Sequence, residues 1–160
     1  MKISVHVVGR MKAGPERELS ARYFDRFAKT APSLGLEWAG ISELAESRAR
    51  SADERKREEA QRLHQMIVNG TAVLVLDERG KQMSSEAFAS TLARMRDDGR
   101  RDLCIAIGGP DGHDPELRAA AQLAISFGNQ TWPHQLVRVM LAEQLYRAAT
   151  ILSGHPYHRA

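Results

Sequence analysis

The end of the chain carries the densest chemistry. His155, Tyr157, His158 and Arg159 cluster around Pro156. Imidazoles exchange protons near neutral pH. A phenol ring and imidazoles stack on nucleobases. A guanidinium forks onto phosphate. His155, Tyr157, His158 and Arg159 are therefore candidate catalytic groups, and His155 and Arg159 also candidate contacts to RNA. Chain ends are commonly frayed, but frayed ends are seldom so rich in His, Tyr and Arg together.

A second set of candidates sits where apolar runs stop. Leu103 to Ile107 ends in Gly108-Gly109-Pro110. Leu123 to Phe127 leads into Gly128-Asn129-Gln130-Thr131-Trp132. Thr71 to Leu76 ends in the charged turn Asp77-Glu78-Arg79-Gly80-Lys81. Ligands of open parallel sheets bind beyond the carboxyl ends of the strands. Glycines without a Cβ let a ligand approach the main chain, although Gly-Gly-Pro after a strand is more often only a turn. The segment from Phe127 to Trp132 mixes main-chain polar groups with apolar walls, which suits a nucleoside. Arg48 and Arg50, in a loop, are placed to touch phosphates, within a charge run that otherwise reads as a solvated helix face.

Several chemistries are disfavoured. No G-x-G-x-x-G follows the first strand and no G-x-x-x-x-G-K-[ST] occurs, against a dinucleotide site or a nucleoside triphosphatase of the usual kinds. His155 and His158 have no cysteine or nearby carboxylate to complete a metal site, so no metal is expected. No Ser-His-Asp set can be assembled from sequence order alone.

These loops need a scaffold, and periodicity supplies one. Lys2 to Val8 reads as a strand, and Leu36 to Ile41 as a short second one. Pro15 opens a helix whose Leu19, Tyr23 and Phe27 make a stripe, and Pro32 stops it. Ser51 and Glu54 form a capping box for a helix reaching about Val68. Ser84 caps a third helix, and Asp114-Pro115 starts another turn or two. From His134 to about Leu152 two apolar stripes run along one helix. Two stripes imply cover on two sides, by a partner subunit as the economical candidate or by a deep intramolecular groove. Strands alternating with helices predict an α/β fold with a mainly parallel sheet flanked by helices. Nothing divides residues 1–160 into more than one domain.

Composition agrees. The 160 residues are 42% hydrophobic and 27% charged, which is globular rather than disordered. A net charge of +3 is compatible with RNA or another phosphate-bearing partner. No membrane span or signal peptide is expected, and a cytoplasmic location is. Cys104, the single cysteine, reads as a small buried hydrophobe.

Ile107 to Pro110, Pro133 to Val139, Glu143 to Ala148 and His155 to Arg159, with Leu74 to Lys81, together resemble the ribosomal RNA large subunit methyltransferase H family of the SPOUT class. The resemblance spans essentially the whole chain. It implies a SPOUT-type fold with a C-terminal trefoil knot, a homodimer, and S-adenosylmethionine as methyl donor. It also implies N3 methylation of a pseudouridine in large-subunit rRNA on assembled ribosomes. Carried over by position, the cofactor site is Leu76, Gly108, Phe127, Gly128, Asn129, Gln130, Thr131 and Trp132. Gly128-Asn129-Gln130 departs from the more apolar family pattern, which main-chain contacts would survive. RNA would meet Arg138, His155 and Arg159, with Arg138 equally suited to a structural role. Which tail residue performs chemistry stays open. The alternatives are a non-catalytic RNA- or ribosome-binding module of the same fold, and a SPOUT methyltransferase with another RNA target.

Overall fold

The structure, a computed structural model, describes residues 1–158. Its strands are β1 (Lys2–Val8), β2 (Glu37–Leu44), β3 (Ala72–Gln82), β4 (Asp102–Ile107) and β5 (Leu123–Ser126). Its helices are α1 (Pro15–Thr30), α2 (Ala52–Met66), α3 (Ser85–Asp97), α4 (Pro115–Ala120) and α5 (His134–Ser153). The strands form one sheet in the order β2-β1-β4-β3-β5, and every pairing is parallel.

Local chemistry explains most boundaries. Ser51 accepts the Glu54 amide while the Glu54 side chain returns to the Ser51 amide, completing the capping box of α2. Asp114 accepts the amides of Glu116 and Leu117 to start α4. After Thr30 the chain tightens into a 3-10 turn containing Pro32, which closes on left-handed Gly35.

β3 differs from expectation. It does not stop in a turn at Asp77 but runs on to Gln82. Leu76 and Lys81 both pair with Ile125 of β5, so Asp77 to Gly80 bulge out of the ladder between them. A Cβ on Gly80 would lie 2.5 Å from the Ile125 carbonyl carbon and 2.7 Å from that of Ala124. Only glycine lets the two backbones pass there. The charged residues of the excursion hide the strand from a reading by hydrophobicity.

Alternation divides the sheet into two faces. Ile3, Val5, Val7, Leu74, Leu103, Ile105 and Ile107 pack under α1, α3 and α5 in the larger core. Val75, Cys104 and Ala106 meet Leu63 of α2 and Leu117 of α4 on the other face. Cys104 is part of that second layer, and burial pushes its thiol up to about 12, so it is inert at neutral pH.

α5 packs against both α1 and α3. Leu141, Ala142, Leu145, Ala148 and Ala149 are buried. Part of each stripe is thus covered within one chain, as in the intramolecular alternative, while Val137, Val139, Tyr146 and Leu152 stay half-buried. Among the described residues no helix is long and apolar enough to cross a membrane.

Candidate functional site

A cleft opens beyond the carboxyl ends of β4 and β5 and beside the excursion within β3, holding about 830 Å³ of space with its open mouth included. Leu76, Gly108, Phe127, Gln130, Thr131 and Trp132, among the expected cofactor residues, all line it. Gly128 and Asn129 do not. Ser126 Oγ donates to the Gly128 carbonyl at 2.7 Å and accepts its amide at 3.2 Å, so the main chain of Gly128 is spent on closing its own turn. Asn129 accepts a hydrogen bond from the Gln82 amide. Gly128 instead borders a neighbouring groove with Phe88 and Met140.

Gly108 and Gly109 are needed for a reason other than ligand approach. A Cβ on Gly108 would sit 3.0 Å from the carbonyl carbon of Gly112, and one on Gly109 would sit 3.0 Å from Val8 Cγ1 and 3.2 Å from Glu59 Oε2. The loop from Gly108 to Gly112 folds tightly on itself and on α2, and it is the compact result that walls the cleft. A bridge between Gly109 and Gly112 closes it. Arg55 of α2 grips the loop with a bidentate pair to Asp111, at 2.7 and 3.0 Å. That guanidinium holds the Asp111 carboxyl below the usual carboxylate range. Glu59, one turn further along α2, is 5% exposed. Burial raises its pKa despite the Ser47 amide donated to it at 2.8 Å.

The first turn of α5 closes the opposite wall through His134 and Val137. Arg138, next in line, turns into the protein. It is 3% exposed, pairs with Glu43 of β2 and donates to the Gly9 carbonyl at 3.2 Å. Glu43 also accepts the Met11 amide at 3.0 Å. Partial burial would raise the Glu43 pKa, but the Met11 amide and the Arg138 guanidinium outweigh it and hold the carboxyl low. The expected RNA contact at Arg138 is therefore corrected: its guanidinium is spent on fastening α5 to the ends of β1 and β2.

The tail folds back on the far half of α5. Tyr157 donates to Glu143 Oε1 at 3.1 Å, and its hydroxyl lies 3.5 Å from that of Tyr23. Its ring packs on Tyr146 at 4.7 Å between centroids, with the Arg147 guanidinium 5.0 Å above it. Burial, then Tyr23 and Glu143, push the phenol pKa up, so Tyr157 is a neutral donor. His158 sits between Arg147, 3.4 Å from its Nδ1, and Glu86, 2.8 Å from its Nε2. The second contact is at ion-pair distance without hydrogen-bond alignment. His155 is exposed, and its Nδ1 accepts the Tyr157 amide at 3.1 Å. Arg159 lies outside the described residues. None of His155, Tyr157 and His158 lines the cleft. The structure brings six of the eight cofactor candidates together and groups the tail elsewhere.

Reading by sequence flagged the Asp77 turn but did not single out Asp111, Ser126, His134 and Val137 as cleft residues. Asp111 had a usable signal, since it follows the end of β4 by a few residues. His134 and Val137 had none, because only the packing of α5 brings them to the mouth. Arg48 and Arg50 are exposed beside α2, as a phosphate contact requires.

A family model described as "Predicted SPOUT methyltransferase" matches residues 1–158. Ribosomal RNA large subunit methyltransferase H of Brucella anthropi is 64% identical over 160 residues, covering 100% of both chains. The protein of that name from Mesorhizobium japonicum is 66% identical, again over 100% of both. Among solved structures, the SpoU methyltransferase AviRb from Streptomyces viridochromogenes, in complex with AdoMet, overlays with a TM-score of 0.40 at 9% identity. That overlay covers 90% of this chain and 56% of AviRb, a likeness too loose to bear on the site. With a full-length family match and relatives of this identity, the chain belongs to the SPOUT methyltransferases, in the ribosomal RNA large subunit methyltransferase H family.

Proposed function

We propose that this chain methylates N3 of a pseudouridine in large-subunit rRNA, with S-adenosylmethionine as donor, in the cytoplasm. The observation that carries the reading is the cleft at the ends of β4 and β5 and the excursion of β3. Its residues fit the cofactor. Leu76, Ile107, Phe127 and Val137 offer apolar walls for a base, and the Gly108–Gly112 and Gln130–Thr131 backbones offer polar edges. When bound, S-adenosylmethionine supplies an electrophilic methyl group.

In the transfer, the bond from N3 to the methyl carbon forms as the methyl–sulfur bond breaks, and the imide proton leaves to solvent. The protein's task is to orient N3 and stabilise its developing anion. Neutral His155, with Nδ1 accepting the Tyr157 amide, carries its proton on Nε2. His158 presents Nδ1 to Arg147, a permanent donor, and so also carries its proton on Nε2 when neutral. The His155 imidazole is then a donor suited to an anion, the Nε2 of His158 faces the Glu86 carboxylate, and Arg159 would serve a phosphate or the same anion.

The tail reaches this chemistry in a homodimer, each tail serving the partner's cleft. Supporting this, Tyr157 is fastened near Arg147, about 15 Å along the helix from Val137 at the cleft. Leu136 and Trp132 remain partly exposed apolar groups beside the mouth, at 39% and 38%. The trefoil threading belongs to the same reading, and the double pairing of Ile125 on either side of the β3 excursion is in keeping with it.

Calorimetry should detect S-adenosylmethionine binding to the purified protein. Mapping of rRNA from a deletion strain should show one pseudouridine losing its N3 methyl group, restored by the wild-type chain. A binding-only module would bind no cofactor, and a different RNA target would leave that pseudouridine methylated. Mixing a cleft variant with a tail variant should restore activity in the heterodimer. No recovery would refute the shared site.

A further inference from the structure

Under the Gly108–Gly112 loop, opposite the cleft, lies a void of about 10 Å³. Ile107, Gly108 and Gly112 line both the cleft and the void, so this loop is a thin wall between them. The void is otherwise bordered by His6 of β1, Lys56 and Glu59 of α2, and His113 at the loop's end, among others. Its size is close to the ~10–15 Å³ needed for one water.

The side chains around it are unusual for an interior. His6 is 8% exposed and its Nδ1 has no hydrogen-bond partner among the described residues. His113 Nε2 is likewise buried without one. Lys56 is engaged with Asp53 at 2.8 Å, and one oxygen of Glu59 is held by Ser47. Burial lowers the pKa of both histidines, so each is neutral and keeps one donor and one acceptor nitrogen. Polar groups orphaned around a small enclosed space are where proteins hold a structural water. An apolar filling would have been simpler: β1 offers Val on its other face, and the Leu63 and Leu117 layer is immediately adjacent.

We propose that one internal water bridges His6 Nδ1 and His113 Nε2 in this void, and that this bridge, with Glu59, holds the Gly108–Gly112 loop in the shape that receives the cofactor. His6 and His113 are then positioning residues. Neither lines the cleft. They act through the loop, which Arg55 anchors separately from outside by its pair with Asp111. This rests on the reading of the cleft as the S-adenosylmethionine site.

The test uses the full-length protein. Calorimetric S-adenosylmethionine affinity, KM for the cofactor and kcat are measured for the wild type, His6→Phe and His113→Phe. The same is done for His6→Asn and His113→Gln, whose amides restore a polar atom near the lost nitrogen. Loss of one bridged bond should weaken affinity and raise KM about tenfold, with kcat at saturating cofactor changing much less. The amide variants should recover most of the affinity. A crystal structure of the wild type should show an ordered water within hydrogen-bond reach of both nitrogens. If wild type binds no S-adenosylmethionine, the cleft reading fails. If it binds, and the Phe variants bind equally well or the void is dry, the bridge is wrong. Should His6→Phe fail to fold, His113→Phe and the ordered water decide the matter.

Discussion

The cleft and the tail cluster are built by different means. The cleft is made of main chain, with tight loops at the ends of β4 and β5 and the excursion of β3, held from behind by Arg55, Glu59 and Arg138. The tail cluster is made of side chains, with Tyr157, Glu143, Arg147 and Tyr146 bonded and stacked on one helix. A loop wall fixed by close-packed glycines and ion pairs suits a ligand recognised at its edges. A segment fastened by side chains to the far half of the helix is held away from its own cleft, as service to a second subunit would require. α5 joins the two, with its first turns at the cleft and its last under the tail.

Breaking the cleft's supports should therefore cost far more than loosening the tail. The largest effect is expected for Arg138→Ala, which strands Glu43 and frees the Gly9 carbonyl. Arg138 is buried but the Glu43 side chain keeps 33% exposure, so the cost should fall near the lower end of the ~3–5 kcal/mol typical for losing one partner of a fully buried pair. Urea denaturation should show the loss, with cofactor binding falling alongside it. A change below 1 kcal/mol would mean that Arg138 is not the fastener of α5.

Gly80→Ala should follow, at about 3 kcal/mol. The added Cβ meets two backbone carbons of β5, which cannot swing aside as a side chain can. The strain falls at the excursion beside Leu76, so S-adenosylmethionine affinity should drop even where the variant still folds. Wild-type stability and affinity in this variant would show that β3 and β5 do not pass so closely.

Sequence patterns revealed the two regions unequally. The layer order was legible because buried parallel strands are continuous apolar runs and the helices carry caps such as Ser51 and Asp114. Cleft residues at strand ends were legible for the same reason. The β3 excursion was not, since Asp77 to Lys81 reads as a turn until Ile125 is known to pair on both sides of it. Arg138 was ambiguous because an arginine on a helix looks alike whether it meets RNA or Glu43. The tail's chemistry was visible, but its partners, Tyr23, Glu86 and Glu143, lie far off in sequence on three helices.

Acid should separate two carboxylates behind the cleft. Glu43 has a folded pKa below its ordinary value of 4.5, so its contribution is present above that value and is lost as pH falls through the folded pKa. The advantage of wild type over Glu43→Gln in melting midpoint should therefore shrink as pH drops below about 4.5. Glu59 has the opposite sign. Its folded pKa is raised, so stability present below 4.5 is lost as pH rises through the folded pKa. Glu59→Gln should accordingly match or exceed wild type at neutral pH and lose that gain in acid. Parallel pH profiles for the two variants would contradict the assigned environments.

The smallest effect should come from Tyr157→Phe. The substitution deletes the hydroxyl that donates to Glu143 but keeps the ring stacked on Tyr146 and beneath Arg147. Glu143 does not become an orphan, because Arg147 still bonds it. The loss is that of one net hydrogen bond, about 1 kcal/mol. It falls on the docking of the tail rather than on the core. Hydrogen exchange at the Tyr157 amide, now protected by His155, should quicken about fivefold, the equivalent of that energy. Global unfolding and S-adenosylmethionine affinity should stay within error, because no contact of the ring or hydroxyl reaches the cleft. If affinity fell together with tail protection, the two regions would be energetically one, and the division of labour along α5 would have to be abandoned.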